Sequence, residues 1–321
     1  MVIVLLTGCE QAVEADASWQ HAAVGVLDAT VSDDGKFAVV SSVNHGVGYW
    51  DLTRNELLYQ WRHNDNPDDM ILATDISPDG TRAITANQRT FIIWDTSNGR
   101  NYGYWQAPAD ITAVAISELG RFVLLGLKNG KVIHIAMETG RRLEFTGHRD
   151  ESIASVDISA NGTWAFSGGN DHRAILWNTR SGEPRYIFEH DTRVTQVRLE
   201  AKGRLAFSSG TRGNAIIWDL ERGAERTRLR LKSREYVISA AAFSSDATII
   251  ATGAPGRDIS LWSTRSGVRV LQRQAKIRQQ WKPSGAIVYA LAFSSNDQFL
   301  ISEASSGWGQ KWSVPAEVKQ H

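Results

Sequence analysis

Apolar and polar positions along the chain repeat as one phrase about every forty residues. Each copy opens with an apolar run that enters a Ser-rich, often Gly-containing turn: VSDDGKF (31–37), ISPDGTR (76–82), ISELGRF (116–122), ISANGTW (158–164), LEAKGRL (199–205), FSSDATI (243–249) and FSSNDQF (293–299). A second apolar run then closes on tryptophan: GVGYWDL (46–52), FIIWDTSNG (91–99), RAILWNTRSG (173–182), NAIIWDLERG (214–223), ISLWSTRSG (259–267) and GQKWSVP (309–315). A degenerate copy, VIHIAMETG (132–140), has Ile135 at the tryptophan position. Short apolar runs bounded by turn residues predict strands. A period of this length with four short strands per unit predicts stacked blades, so the chain is expected to be all-β, a seven-bladed β-propeller of four-stranded antiparallel blades.

Trp50-Asp51, Trp94-Asp95 and Trp218-Asp219 keep a Trp-Asp dipeptide, while Trp177-Asn178, Trp262-Ser263 and Trp312-Ser313 keep half of it. With these motifs, residues 19–315 resemble the WD-repeat (WD-40 type) β-propeller family. Trp19-Gln20-His21 repeats the phrase seen at Trp61-Arg62-His63, Phe188-Glu189-His190 and, with one insertion, Phe145-Thr146-Gly147-His148, whereas the last blade stops after its Trp312 strand. The resemblance implies circular closure, with residues about 17–24 supplying the outer strand of blade seven and removing an exposed edge. It also implies that His148, Ser167, Asp171 and Trp177 form a structural tetrad, a buried relay from His through Ser to the Trp indole with Asp holding His. Other blades lack Asp at the matching place (Asn44, Gln88, Arg212, Gly256, Ser306), so their cohesion is expected to come from apolar packing.

The repeat makes the 321 residues one toroidal core rather than two domains. A formal net charge of zero gives no global field for nucleic acid or membrane. The single cysteine, Cys9, excludes an intramolecular disulfide. It follows the apolar start MVIVLLTG, and Leu6-Thr7-Gly8-Cys9 resembles the box of bacterial lipoproteins. That resemblance implies residues 1–8 as the remnant of a signal peptide, a lipidated Cys9 with a tether over 9–18, the propeller over 19–315 and a tail over 316–321. The apolar run is short and no Lys or Arg precedes it, so a start codon further upstream is expected. Glu10 is not the Asp that marks inner-membrane retention in many such lipoproteins, which implies the outer membrane, facing the periplasm.

No metal-spaced Cys/His cluster, phosphate-binding glycine loop or nucleophile elbow appears, so no catalytic residue, metal or cofactor is expected. His21, His63, His148 and His190 fall at equivalent positions of different blades, too far apart to converge on one ion. In the turn between the second and third strands, blades one to six carry His45, Arg89, Lys128, His172, Arg212 and Arg257, and blade seven offers Trp308. Family resemblance puts that turn on the top face, where such a ring would attract an acidic protein or peptide partner; a solvated set of charges is the plainer alternative. Arg226, Arg228, Arg230 and Lys232 alternate with Thr227, Leu229 and Leu231 and are expected to form a basic stripe on an outer strand, either a docking surface or protection against edge-to-edge aggregation. Further on, 272–284 reads as an insertion carrying Trp281, and the acidic loop 62–69 lacks a calcium-loop order of ligands. The basic residues have no interleaved aromatics, which argues against single-stranded nucleic acid.

These features together predict a monomeric, non-catalytic interaction scaffold, lipid-anchored in a bacterial envelope. Two alternatives stand beside it. One is a periplasmic enzyme or ligand binder using the central channel, where Asp75, Asp157 and Arg198 occupy positions that are mostly Ala in other blades. The other is a cytosolic assembly factor.

Overall fold

The computed structural model describes residues 13–23, 25–43, 45–64, 70–232, 237–278 and 285–320. Among them, 28 strands form seven four-stranded antiparallel sheets. Blades one to six span 26–61, 73–106, 111–145, 153–189, 194–228 and 240–274, and blade seven spans 288–313. Within a blade, strands a to d follow chain order from axis to rim. The innermost strands touch one another in succession, and strand a of blade seven (Val288–Phe293) touches strand a of blade one (Val26–Val31), so the ring is closed.

Burial follows from the stacking of sheets. Strands b and c are apolar on both faces because each face packs on a neighbour: Thr90–Asp95 and Phe122–Leu127 are almost wholly buried. Ile84, Phe91 and Ile93 of blade two share one cluster with Ile116, Val123, Leu125 and Ile133 of blade three. Rim strands such as Asn101–Gln106 and Arg269–Gln274 expose alternate residues.

The recurring serine has a defined task. Ser32, Ser77, Ser117, Ser159, Ser244 and Ser294 each accept, on the hydroxyl, the backbone N–H five residues on, at 2.9–3.1 Å, which closes the a–b turn. In blade five the Glu200 carboxylate stands in this place and accepts instead from the N–H four residues on, Arg204 N, at 3.1 Å. The turn also needs a left-handed residue, Gly in blades one to five; Ala247 and Asp297 hold that conformation in blades six and seven, at φ 61° and 53°. Beyond Trp50, Trp94, Trp177 and Trp218, the Asp or Asn side chain caps the c–d turn, as Asp51 does by accepting from Thr53 N and Arg54 N.

Closure by the N-terminal strand is present. Ala17–Gln20 pairs antiparallel with Trp308–Ser313, with Trp19 opposite Gly309, and Asp16 N donates to Lys311 O at 2.9 Å. At the other terminus Ala316–Gln320 forms a 3-10 turn whose Val318 packs into the cluster shared by blades six and seven. One boundary differs from expectation: strand d of blade six runs Arg269–Gln274, so extra chain begins after Gln274 rather than at 272. Trp281, Asn44, residues 65–69 of the acidic loop and Cys9 lie outside the described residues.

Candidate functional site

The tetrad residues come together in blade four. His148 Nδ1 contacts Asp171 Oδ1 at 2.8 Å and His148 Nε2 contacts Ser167 Oγ at 2.8 Å, while the Trp177 indole donates to Ser167 Oγ at 2.8 Å. Burial raises the Asp171 carboxyl's pKa, but the bond from His148 outweighs this and holds it below the ordinary carboxylate range. Because His148 follows strand d of blade three, the relay ties two blades together.

Blades without Asp were expected to cohere through apolar contacts alone, and the structure corrects that. His63 meets Thr85 Oγ1 at 2.8 Å, to which Trp94 also donates, and His190 meets Ser208 Oγ at 2.8 Å, to which Trp218 donates at 2.7 Å. Trp262 and Trp312 donate likewise to Thr252 and Ser302. What repeats is a hydroxyl on strand b; blade one has Val40 at that register position and its Trp50 is only half-buried. At the closure seam, buried Glu303 on strand b of blade seven lies 2.8 Å from His21 Nδ1, and the His21 ring lies 4.6 Å from the ring of Trp50 in blade one. Sequence matching missed Glu303 because the search looked for an acid in the b–c turn.

The seven top-face positions do not form a uniform ring. Lys128, His172 and Arg212 are exposed, with no ion pair among the described residues, and His172 stands at φ 70°. His45 is exposed with Nδ1 at 3.0 Å from Val43 O. Three positions are engaged instead: Arg89 pairs with Asp110 at 3.6 Å, Arg257 donates to Ala275 O at 3.0 Å, and Lys276 lies 3.5 Å from the Trp308 ring centroid. Exposed Asp150, Glu151 and Asp191 on d–a loops give the same face negative charge as well. The basic stripe is also corrected. Strand d of blade five is Ala224–Arg228, so Arg230 and Lys232 lie beyond it; Glu225 lies 2.8 Å from Arg228, and Arg226 donates to Thr264 O at 3.2 Å. Glu225 was overlooked because strict alternation puts it on the Thr227 face, whereas the register shift between Ile217 and Trp218 turns it to the side of Arg228.

The channel is more polar than strand-a matching implied. Its side chains bond the inner strand of the next blade. Asp28 Oδ2 accepts from Thr74 N at 2.7 Å, Asp75 Oδ2 from Ile116 N at 2.9 Å, Ser155 Oγ from Val197 N at 3.2 Å, and Asp157 Oδ2 from Leu199 N at 2.6 Å. Each bond satisfies an N–H on the inner edge that no further strand can reach. Asp28 and Asp75 are pushed up to about 7 by burial. Asp157 is raised by the same cause, and Asp157 in turn raises Arg198. Arg198 reaches across the channel, with Nε 3.7 Å from Asp157 and Nη2 3.0 Å from Asp33 in the a–b turn of blade one. That bar divides an upper cavity of about 390 Å³ from a lower one of about 280 Å³. Among the described residues no group of three or more His, Cys, Asp or Glu is placed to hold a metal ion.

Comparison with known proteins adds to this geometry. The WD domain, G-beta repeat family model matches residues 141–178, which contain all four tetrad members. A segment covering 49% of this chain is 24% identical to Autophagy-related protein 16 of Arabidopsis thaliana, over 31% of that protein. A segment covering 47% of the chain is 27% identical to Protein groucho of Drosophila melanogaster, over 20% of its length. The matches thus span less than a third of either relative. Taken with seven four-stranded blades and the indole-to-hydroxyl bonds, they support a WD-repeat propeller.

Proposed function

We propose that the protein is a non-catalytic interaction scaffold, tethered through lipid on Cys9 to a bacterial outer membrane, that docks an acidic protein or peptide on its top face. The observation that carries the docking reading is the trio Lys128, His172 and Arg212, exposed on three successive blades without ion pairs among the described residues. A closed ring fixes these turns relative to one another, so a partner meets a preorganised surface and little ordering entropy opposes binding. Lys128 and Arg212, without ion pairs among the described residues, steer an acidic partner to this rim. Support for the tether comes from Leu6-Thr7-Gly8-Cys9.

The test is affinity capture from detergent-solubilised envelope membranes. Lys128→Glu with Arg212→Glu should lose the principal co-purifying protein while melting unchanged, because exposed charges contribute only about 0–1 kcal/mol to stability. Arg226→Glu with Arg230→Glu, at and beyond the rim strand, should retain it. If the rim pair loses the partner and the top-face pair does not, docking is on the side of the ring and the top-face reading fails.

A further inference from the structure

Leu119 breaks the pattern of the a–b turns, which together with the c–d turns make the bottom face of the ring. The other six a–b turns place Asp34, Asp79, Asn161, Lys202, Asp246 and Asn296 at its position. Asp34, Asn161, Asp246 and Asn296 each accept the backbone N–H two residues on, from Lys36, Thr163, Thr248 and Gln298. Leucine forgoes that bond. It also stands at φ 57°, a left-handed conformation disfavoured for a side chain of this size, and is 48% exposed. Neighbouring blades hold it there: Leu119 N donates to Asp79 Oδ1 of blade two and Glu118 N to Ala160 O of blade four, both at 3.0 Å. The turn gives up a bond and keeps a strained backbone, and the result is an apolar side chain held in water.

The same turn is continuous with a second exposed apolar group. The stem of Arg82 lies against it, with Cγ 2.8 Å from where a Cβ on Gly120 would stand, and the Arg82 guanidinium carbon lies 5.5 Å from the ring centroid of Tyr102. Tyr102 is 63% exposed at the bottom end of strand d of blade two. Around this patch Arg100, Arg121, Arg141 and Arg180 are exposed on the bottom turns of blades two to four, with no ion pair among the described residues.

We propose that this bottom patch rests on a phospholipid bilayer, with Leu119 and Tyr102 at the headgroup boundary and the arginines on lipid phosphates. The proposal rests on the tether reading above: the chain enters the ring from the bottom at Ala17, opposite Lys311, so lipid on Cys9 would bring this face to the membrane. Tyrosine suits the headgroup level because its ring is apolar and its hydroxyl polar, and a guanidinium meets phosphate oxygens in bidentate fashion. Glu118, Glu138 and Glu183, exposed on the same turns, offset much of the basic charge. The apolar contact therefore leads, and the guanidiniums set its depth. A contact of this size is weak and reversible by itself; it fixes which way an anchored ring faces rather than holding the protein on the membrane.

The experiment is sedimentation of the full chain carrying Cys9→Ser with vesicles of phosphatidylethanolamine and phosphatidylglycerol, at low salt and high lipid. Without acylation the bottom face is read separately from the anchor, and residues 1–8, common to every variant, cancel in the ratios. Leu119→Asn should lower the partition coefficient by about five- to ten-fold, the order expected for withdrawing an apolar side chain of that size from lipid. Its melting should stay the same or rise, because asparagine accepts the left-handed region and can restore the turn bond. Tyr102→Ser should also weaken sedimentation. Ile187→Ser, which removes a side chain 46% exposed on the rim of blade four, should change nothing. A parent that does not sediment, undiminished binding of Leu119→Asn, or an equal loss in Ile187→Ser would overturn the proposal. A wild type that carries no acyl chain, with Leu119→Asn still weakened on vesicles, would remove the tether and leave the bilayer contact standing.

Discussion

Burial decides the protonation of His190 and His134, and with it part of the pH dependence of the fold. His190 spends Nε2 on Ser208, while its Nδ1 is buried without a hydrogen-bond partner among the described residues. Burial pushes its pKa down to about 4, and burial does the same to His134 in strand c of blade three. An unfolded histidine takes up its proton near 6.5. Between those values the unfolded chain binds more protons than the folded one, so this contribution falls as pH falls from about 6.5 toward 4. His190→Gln should lower stability at pH 7 by roughly 1–3 kcal/mol through the altered bond to Ser208 and flatten the acid limb. Urea midpoints of wild type and variant across that range check it; equal slopes would show that His190 is not held neutral. His21 works in the opposite direction. Burial alone would lower its pKa, but the Glu303 carboxylate raises it, so its contribution is complete at low pH and is lost as pH rises through the raised value.

Strand by strand, the blade that completes itself from both ends of the chain is the one most exposed to a single cut. Removing residues 1–24 deletes Ala17–Gln20, strips the ladder from Trp308–Ser313 and leaves Glu303 buried without His21. Such an edge pairs readily with other chains, so the truncated protein should aggregate or melt well below wild type. Removing residues 1–12 keeps the bond between Asp16 N and Lys311 O and should leave melting unchanged. A soluble 25–321 protein that melts normally would overturn this account of closure. The strands were legible in the sequence because their causes are local: the turn serine, the left-handed glycine and the Trp-Asp cap each sit within about six residues of what they fix. Relays and channel bonds are not local. Thr85 and Ser208 were passed over because the pattern sought included an Asp, although the hydroxyl alone receives both His and indole. Asp28 escaped notice because its partner, Thr74 N, belongs to another blade and lies 46 positions away.

At the scale of the whole molecule, closure also fixes an orientation. Gln20 lies opposite Trp308, beside the top b–c turn of blade seven, and Ala17 lies opposite Lys311 toward the bottom, so the chain enters the ring from below. The eight residues from 9 to 16 reach at most about 29 Å when fully extended. A lipid on Cys9 would therefore hold the bottom face near the bilayer and leave Lys128, His172, Arg212 and the mouth of the upper cavity facing away from it. Several acyl chains each contribute about 0.8 kcal/mol per buried methylene, so protein expressed from its natural gene should fractionate with membranes and carry the added acyl mass. Cys9→Ser should move it to the soluble fraction without altering its melting, since the ladder begins only at Asp16 and Ala17. Equal membrane recovery of wild type and variant would remove the lipid anchor. The top face would then have no reason to point away from a membrane, and the docking reading would rest on its unpaired charges alone.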